Sequence, residues 1–543
     1  MKRSIKQSEE LIPRGPFDST LHFLRRPYDF VNTVCSRTGG NMFETRLLLR
    51  RTVCLRGEAA AEMFYDKARM SRDGAMPEPV RATLTGKGGV QGLDGERHLR
   101  RKEMFVSLLT QERVEALGEK FEKMWLAQLP AWTRESQVIF YEALHPILAE
   151  AVCDWAGVPL PAEERIKRTR DLVLLFDRAA ALGLGHFRAR RARSRSEAWL
   201  ARVIKDARDR RLVPPAESAL AVIAAHRDED GALLSPRIAA VELLNVLRPT
   251  VATSVYITLL AHALHSFPDV APTPASDRSE LGRFVQEVRR FYPFFPAVAA
   301  RSRKDFRWRN VRFPAGRRFL LDLHATNTDP HLWNEPEIVN PDRFRKEDFS
   351  AFALIPQGGG DVSKNHRCPG ETVVLEVMER SLRMLLCEME YRLADNESGS
   401  EAGQRRTITS EEFLMDAQEA HFGQIIARAL HGTPIRAKLV DRNTAFEGYS
   451  WYDELRELSD PTFIVHADGT IHTVDAIAAD PPLPAISAAQ EIHLEYAIKE
   501  QGCSTAQRER VKADIVLTFP DGCCSDGIED VTIAYVSSDS HSI

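Results

Sequence analysis

One cysteine, set between a glycine-rich loop and a helix, is the residue of this chain best placed to do chemistry. The segment 352–371 reads FALIPQGGGDVSKNHRCPGE, so an apolar run leads into three glycines, and a Pro-Gly pair follows Cys368. Glycines let the backbone pass close to a flat ligand, and the amides at the start of a helix can hydrogen-bond a sulfur anion. Cys368 is therefore a thiolate candidate of the kind that binds haem iron, with a buried free cysteine as the alternative.

A long apolar helix carries the second reactive candidate. The spacing of apolar residues predicts this helix over 235–264, with Ser235 as its N-cap. Within it, Arg248 precedes Pro249, which has no N–H and is expected to kink the helix. A buried arginine is costly unless an anion meets it. Either Arg248 grips a ligand carboxylate through two hydrogen bonds, or it pairs with a residue such as Glu242 or reaches solvent.

A Glu/Arg/Arg cluster is the third feature. Glu287 and Arg290 are three residues apart on a predicted helix, and Arg343 follows in the segment Asn340-Pro-Asp-Arg-Phe. Residues at this spacing lie on one helical face and can pair. We expect the cluster to be structural and to brace the core behind the Cys368 loop.

Composition bounds the class of protein. The 543 residues include eight scattered cysteines, which is typical of a reducing compartment. Residues 441–543 hold 19 acidic and 6 basic residues, a net charge of −13 that leaves +9 for residues 1–440. This shift predicts a boundary between a domain at 1–395 and an unassigned acidic region at 396–543, with a polar linker at 395–404. We interpret the basic run 188–195 as a solvated helix face, and no nucleic-acid partner is expected.

The fold class predicted from periodicity is mainly α, of α+β type, with small β-sheets. Apolar spacing predicts helices over 55–70, 96–128, 134–156, 160–182, 186–212, 216–227, 236–265, 278–292 and 370–388. Extended segments are predicted at 46–54 and 298–322. The amino terminus lacks an apolar signal region, and the apolar stretch 251–264 is short and interrupted, so we expect a cytoplasmic protein without a membrane anchor.

In this order and spacing, the motifs resemble those of the cytochrome P-450 superfamily, and more narrowly its fatty-acid peroxygenase branch. The loop Gln357-Gly-Gly-Gly360, followed by His366-Arg-Cys368-Pro-Gly370-Glu371, is similar to the modified metal loop of that branch. The segment 245–252, NVLRPTVA, stands where ordinary members carry an acid–alcohol pair. Residues 86–102 resemble the distal loop and helix of the branch, and the likeness extends over about 12–394.

The resemblance implies a haem-thiolate fold with an unassigned acidic C-terminal extension, and a specific reaction. The cofactor would be haem b (iron protoporphyrin IX), with Cys368 as the metal ligand and hydrogen peroxide as co-substrate. A fatty-acid carboxylate held by Arg248, next to Pro249, would act as general acid–base. Its α and β carbons would then lie nearest the iron, which implies 2- and 3-hydroxy fatty acids as products. No obligatory reductase is expected.

The resemblance also assigns the remaining site residues. Arg72, His98 and Lys102 would bind the haem propionates, and Gly359 would belong to the loop against the haem. A histidine at the position of Gln91 accompanies decarboxylation to terminal alkenes in the branch, whereas glutamine accompanies hydroxylation. The alternative for Gln91 is an ordinary loop residue.

Two departures from the family pattern leave alternatives open. Thr85 stands where the branch usually has phenylalanine over the haem, and no segment after Tyr391 resembles the closing hairpin of the fold. Residues 396–543 are either a separate domain or a replaced terminus of the fold. The alternative functions are a fatty-acid decarboxylase, a degenerate haem- or lipid-binding relative without activity, and a reductase-dependent monooxygenase.

Overall fold

The computed structural model describes residues 12–15, 17–134, 138–179, 183–345, 349–389 and 391, together with seven strands between 435 and 537. The chain divides into two compact units, Met1–Tyr391 and Arg392–Ile543. The predicted boundary at 395/396, the linker 395–404 and the segment expected to hold a closing hairpin all lie outside the described residues.

The first unit is mainly helical, which confirms the predicted class. Its α-helices in the described ranges are α1 (Thr20–Arg25), α2 (Phe30–Thr38), α3 (Glu58–Tyr65), α4 (Glu78–Val80), α5 (Gly95–Ser107), α6 (Gln111–Trp132), α7 (Phe140–Ala156), α8 (Ala162–Asp177), α9 (Gly183–Arg208), α10 (Ala219–Ala225), α11 (Pro236–Val251), α12 (Thr253–Ser266), α13 (Arg278–Phe291), α14 (Leu323–Asn327) and α15 (Glu371–Arg383). One π-helical turn at Met384–Glu388 extends α15, and another lies at Arg81–Thr85. Short 3-10 turns lie at Val90–Gly92 and Pro341–Arg345.

A five-stranded sheet flanks the helices. The strands of the first unit are β1 (Met42–Leu47), β2 (Arg50–Leu55), β3 (Met70–Ser71), β4 (Ala297–Ser302), β5 (Phe306–Trp308), β6 (Val311–Phe313) and β7 (Arg318–Asp322). The sheet has the order β1-β2-β7-β4-β3, in which β2 and β7 are parallel and the other pairs antiparallel. Strands β5 and β6 form a separate hairpin.

The second unit is described only by its strands. They are β8 (Ile435–Leu439), β9 (Thr462–Val465), β10 (Ile471–Thr473), β11 (Glu491–Ile498), β12 (Glu509–Val516), β13 (Asp530–Ile533) and β14 (Val536–Ser537). They form a four-stranded sheet of order β10-β9-β8-β13 and a three-stranded sheet of order β11-β12-β14.

Two of the predicted helices are interrupted. The helix expected over 96–128 is two helices, because α5 ends at Ser107 and α6 begins at Gln111. The helix expected over 236–265 is α11 and α12, which meet at Ala252, three residues past Pro249. Proline removes one backbone donor, which weakens the hydrogen-bond ladder just before this break.

Helix α11 runs through the core and positions Arg248. Leu244 of this helix belongs to the largest apolar cluster, together with Leu148 of α7 and Leu200 of α9, and all three are fully buried. Within the described residues, the stretch Pro236–Ser266 is long and apolar enough to cross a membrane, which the shorter run 251–264 was not expected to be. However, 83% of its most apolar window is buried inside the protein, as expected of a core helix.

The Glu/Arg/Arg cluster is confirmed. Arg290 donates from Nε and Nη2 to the two carboxylate oxygens of Glu287, both at 2.7 Å, and Arg343 Nε donates to Glu287 Oε1 at 3.2 Å. Glu287 and Arg290 are fully buried. Arg290 also donates to the carbonyls of Asn327 and Pro336, so the cluster ties α13 to the segment that leads into the Cys368 loop.

The interpretation of 188–195 as a solvated face is wrong at one position. Arg190, Arg191 and Arg195 are exposed, but Arg193 is 3% exposed and pairs with Glu197 at 2.7 Å. The remaining donors of Arg193 bond the carbonyls of residues 84 and 85 at 3.1 and 3.3 Å. The arginine is buried because it bonds two backbone carbonyls at the end of the turn Arg81–Thr85, a contact that periodicity does not reveal.

Candidate active site

The Cys368 loop is shaped by its glycines and by a backbone hydrogen bond. Gly358 and Gly360 have φ values of +96° and +85°, which side-chain-bearing residues rarely adopt. The Cys368 amide donates to the Gln357 carbonyl at 3.0 Å, which closes the loop below α15. The half-buried sulfur of Cys368 therefore lies at the N-terminal end of that helix, as the sequence predicted.

The surroundings of Cys368 act on its sulfur in opposite directions. Burial raises the pKa of the Cys368 thiol, while the Gly370 amide and the positive charges of Lys102 and Arg248 lower it. The same amide and charges stabilise a thiolate, and a bound metal ion would deprotonate the thiol outright. Cys368 is thus chemically suited to ligate a metal.

Glu371, three residues after Cys368, is locked by two arginines. Arg289 donates from Nη2 to Glu371 Oε1 and, at 3.0 Å, to Gln357 Oε1, while Arg367 Nε donates to Glu371 Oε2 at 2.7 Å. Arg289 and Glu371 are buried. Buried charges of opposite sign with several hydrogen bonds hold a single geometry. The pair therefore fixes both ends of the loop, at Gln357 and at the start of α15.

Gly359 packs against its own loop. A Cβ at this position would approach Ile355 Cγ2 to 2.9 Å, the Ala351 carbonyl oxygen to 3.1 Å and Phe352 Cδ1 to 3.2 Å. The absence of a side chain is thus explained by packing inside the protein. A role of Gly359 in binding a cofactor stays a prediction.

Arg72 and His98, two of the predicted propionate ligands, line one cavity of about 350 Å³. The His366 ring lies against that of His98, with ring centroids 3.9 Å apart. Burial lowers the pKa of His98 to about 4 and that of His366 to about 3. Arg72 donates to the Ala299 carbonyl at 2.9 Å and lies 4.2 Å above the Phe64 ring. This cavity therefore presents buried ring nitrogens and the positive charge of Arg72, and it is also lined by Lys67, Arg303 and the carboxylate of Asp94.

Lys102, the third predicted propionate ligand, lies one turn along α5 from His98. It is 3% exposed, and its Nζ donates to the Arg367 carbonyl beside Cys368. Burial lowers the pKa of Lys102 to about 8, although the nearby Cys368 opposes this shift. Within the described residues Lys102 forms no salt bridge, although the more distant charge of Asp361 also raises its pKa. The ammonium therefore remains available to an anionic group.

Arg248 is a half-buried cation without an internal carboxylate partner among the described residues. Its Nε is buried and makes no hydrogen bond there. Burial, reinforced by the positive charge of Arg193, lowers the pKa of Arg248 to about 9, so the side chain stays protonated near pH 7. The pairing with Glu242 that the sequence left open is not formed, because Glu242 accepts from Arg101 at 2.6 Å.

Gln91 is hydrogen-bonded to α11, the helix that carries Arg248. Asn245 Nδ2 donates to Gln91 Oε1 and to Glu242 Oε2, both at 3.2 Å. Arg101 Nη1 donates to the Gly88 carbonyl at 3.1 Å as well as to Glu242. The loop 88–91 is therefore held to α5 and α11 by a buried polar network, and Gln91 lies near the turn of α11 that carries Arg248. Asn245 Oδ1 is buried and has no partner among the residues described.

Several residues of this site were not predicted from the sequence. The pair Arg101–Glu242, the acid Asp94 and the ring of His366 were not assigned a role. Burial alone would raise the pKa of Asp94, but hydrogen bonds from His366 and Ser71 hold it well below its usual value. The available signals were Arg101 three residues after His98, and His366 two residues before Cys368.

The donor set fits the cofactor that the motifs imply. A haem with a thiolate ligand needs one cysteine sulfur and cations or donors for its two propionates. Cys368 supplies the sulfur, and Arg72, His98 and Lys102 supply buried cations or donors around one cavity and the loop. Arg248 adds an unpaired cation that can bind a second, anionic ligand. The residues present therefore fit a haem.

Comparisons with known proteins find relatives of this chain. The family model described as Cytochrome P-450 matches residues 277–397. The chain is 31% identical over 147 residues to melianol synthase CYP71BQ4 of Citrus sinensis, and the match spans only 27% of that protein. A match of 24% identity over 387 residues covers 85% of a putative cytochrome P-450 of Synechocystis sp..

Solved structures match more of the chain. Cytochrome P-450SP alpha (CYP152B1), in complex with (R)-ibuprofen, is 48% identical with a TM-score of 0.69, and the match covers 70% of this chain and 93% of that one. Cytochrome P-450EX alpha (CYP152N1) with myristic acid is 44% identical, with a TM-score of 0.67 and coverage of 69% and 91%. A variant of cytochrome P-450 OleT with arachidonic acid is 31% identical, with a TM-score of 0.67 and coverage of 69% and 90%.

These likenesses extend over almost the whole length of the solved relatives, and the residues matched by the family model include the cysteine loop. The chain therefore belongs to the cytochrome P-450 superfamily, as a haem-thiolate oxidoreductase of its fatty-acid peroxygenase branch.

Proposed function

We propose that this protein hydroxylates long-chain fatty acids at the α and β carbons with hydrogen peroxide. In the overall reaction a C–H bond and H₂O₂ give a C–OH group and water, so peroxide is reduced as the carbon is oxidised. Bound to Cys368, haem b supplies an iron centre that oxidises C–H bonds. Because peroxide brings both the oxygen and the oxidising equivalents, no reductase is required.

The observation that carries this proposal is the unpaired Arg248. Its guanidinium has no carboxylate partner in the described part of the chain, and its Nε is buried without a hydrogen bond there. Burial lowers the pKa of Arg248, so its charge is costly unless an anion pairs with it. A fatty-acid carboxylate matches the guanidinium through two parallel hydrogen bonds. The solved relatives with bound myristic acid and arachidonic acid support this class of substrate.

A fatty-acid carboxylate bound to Arg248 also supplies the acid–base group that peroxide cleavage needs. A proton must move between the two peroxide oxygens, which requires a group that can accept and return it. Between residues 242 and 254 the only side-chain carboxyl is that of Glu242, which is engaged with Arg101. Arg248 stays protonated and Pro249 has no acidic group. The substrate carboxylate, oriented by Arg248, therefore takes this role.

Anchoring at Arg248 also sets the position of attack. A chain held by its carboxylate places C2 and C3 nearest to the anchor, and more distant carbons farther away. The products are then 2- and 3-hydroxy fatty acids. Gln91, held by Asn245, favours hydroxylation over decarboxylation because an amide forms hydrogen bonds but does not relay a proton at neutral pH.

One experiment tests the proposal. The purified haem-loaded protein is mixed with hydrogen peroxide and palmitic acid without any reductase, and the products are analysed by mass spectrometry. We expect hydroxy acids oxidised at C2 and C3. Products at mid-chain positions would contradict anchoring at Arg248, and oxidation only on addition of a reductase would contradict the use of peroxide.

The proposal also covers the location of the protein, the role of its C-terminal region and its being an enzyme. A cytoplasmic location and the absence of a membrane anchor agree with the burial of Pro236–Ser266 in the core. Residues 396–543 are proposed to be either a separate acidic domain or a replaced terminus of the fold. The family assignment favours an enzyme over a haem- or lipid-binding relative without activity.

A further inference from the structure

Four exposed apolar side chains lie close together at the tip of the β1–β2 hairpin and on the segment beside it. Phe17, Leu21, Leu48 and Leu49 are 77%, 67%, 52% and 77% exposed. We call these four residues the hairpin patch. Single exposed apolar residues are ordinary, but a group of large ones marks a surface that interacts with something.

Hydrogen bonds hold the parts of the patch together. The Leu48 amide donates to Thr20 Oγ1 at 2.6 Å, and the Leu49 amide donates to Asp18 Oδ2 at 3.0 Å. These bonds dock the hairpin tip onto the segment that carries Phe17 and Leu21. The patch is therefore built into the fold and does not consist of loose side chains.

The turn itself is unfavourable for leucine. Leu47 pairs with Arg50, so Leu48 and Leu49 are the two central residues of the hairpin turn, with φ values of 52° and 60°. Turns with positive φ at both central positions strongly favour Asn-Gly, because a branched side chain is crowded there. Two leucines at these positions weaken the turn, and they also point apolar surface into solvent. A binding role explains why both disadvantages occur together.

Positive charges surround the patch. The Arg46 guanidinium lies 4.2 Å above the Phe17 ring, and Arg25 and Arg50 are exposed close by in the sequence. The nearby acids are already engaged. Asp18 accepts from the Leu49 amide, and Glu44 pairs with Arg51 at 2.5 Å and also with Arg317. An apolar centre with a cationic rim is complementary to a surface that is apolar inside and anionic outside.

We propose that the hairpin patch docks this protein onto bilayers that contain anionic lipids. Leu48, Leu49 and Phe17 enter the boundary of the acyl chains, while the arginines contact the headgroup phosphates. Such binding is peripheral and reversible, and it differs from a membrane anchor. It goes beyond the proposed reaction and does not depend on it.

The test is flotation of the full-length haem-loaded protein with vesicles of phosphatidylcholine alone or mixed with phosphatidylglycerol. We expect binding to the mixed vesicles that weakens as salt is raised. The double variant Leu48→Asn/Leu49→Gly suits the turn, so its melting temperature should not fall, yet its binding should drop by about tenfold or more. Ile166→Asn, which changes an 83% exposed residue on α8, is the matched control and should bind as the wild type does.

Three outcomes would overturn the proposal. One is a wild-type protein that does not float with the mixed vesicles. Another is a double variant that binds as well as the wild type. The third is a dimer in analytical ultracentrifugation without lipid that the double variant abolishes, which would assign the patch to contacts between two copies of the chain.

Discussion

Arg101 and Glu242 form a buried ion pair, with Nη1 2.6 Å from Oε1, that joins α5 to α11. Both side chains are almost fully buried, and Arg101 also reaches the Gly88 carbonyl of the distal loop. The pair has two consequences for the site. It holds the loop that carries Gln91, and it leaves Arg248 without the one carboxylate on its own helix. The same contact thus organises the protein side of the site and leaves the cation free for a ligand.

Replacing Arg248 is the most direct test of carboxylate anchoring. Arg248→Ala removes the charge-assisted contact that a bound carboxylate would make, which we expect to cost roughly 2–5 kcal/mol in substrate binding. Loss of the positioned acid–base group should lower the rate by a further factor of about 10²–10⁴. Peroxide-driven oxidation of palmitic acid should nearly disappear in a kinetic assay, while the absorption spectrum of the haem-bound protein should be unchanged.

Two controls sharpen the Arg248 experiment. Arg248→Lys should restore only part of the activity, because an ammonium cannot hold a carboxylate in one orientation. Heptanoate bound beside a substrate that lacks a carboxyl group should supply the acid–base function in the wild type. Near-normal fatty-acid oxidation by Arg248→Ala would show that the arginine has a structural role instead.

Gln91→His should shift the products toward decarboxylation. The side chain at this position is held by Asn245 next to the proposed carboxylate site, and an imidazole there can relay a proton where an amide cannot. We expect a larger share of terminal alkenes relative to hydroxy acids, measured by gas chromatography at equal turnover. An unchanged product ratio would favour the interpretation of Gln91 as an ordinary loop residue.

The order of elements and the reactive residues could be predicted from the sequence, because they depend on local patterns. The positions of α11, α13 and the Cys368 loop follow from periodicity, caps and glycines. The contacts of Arg101 with Glu242 and of Arg193 with the Leu84 carbonyl could not be predicted, because these partners lie 141 and 109 residues away. Such contacts depend on how helices pack, and a helical repeat does not encode this packing. For this reason Arg193 was wrongly expected in solvent.

Cys368→Ala should abolish thiolate ligation. The superfamily takes its name from the red-shifted absorption band of its reduced carbon monoxide complex, and this band depends on the sulfur donor. We expect the wild type to show the band and Cys368→Ala and Cys368→His to lack it. The exposed Cys387 provides the control, since Cys387→Ala should keep the band. A band that survives replacement of Cys368 would exclude it as the ligand.

Arg72 and Lys102 should contribute to cofactor retention and not to regiochemistry. Arg72 lines the cavity and Lys102 lies beside the Cys368 loop, and both are buried cations. Burial lowers both pKa values, and an anionic propionate nearby would raise them again. Arg72→Ala and Lys102→Ala should lower the haem content per protein, measured by the pyridine haemochrome assay, with the positions of oxidation unchanged. Lys120→Ala, a surface change on α6, is the control. Shifted products with full haem content would contradict a propionate role.

Asp322 is a fully buried carboxyl at the start of α14. Its Oδ1 accepts from the Ala325 amide at 2.8 Å, whereas its Oδ2 is buried without a partner in the described part of the chain. Burial raises the pKa of Asp322 to about 8, although the Ala325 and His324 amides and the charge of Arg56 oppose this shift. The carboxyl is therefore neutral in the folded protein at pH 7 and ionised in the unfolded chain.

This difference makes the contribution of Asp322 to stability depend on pH in a defined direction. Because the folded pKa of about 8 lies above the ordinary value of 3.8, the contribution is complete below about pH 4 and is lost as the pH rises toward 8. Asp322→Asn keeps the cap acceptor and is always neutral. We expect the advantage of the variant over the wild type to be about 1 kcal/mol near pH 4.5 and roughly 2–5 kcal/mol in free energy of unfolding at pH 8, as measured by urea denaturation. A variant that is destabilised equally at both pH values would show that the buried carboxyl is ionised in the folded protein.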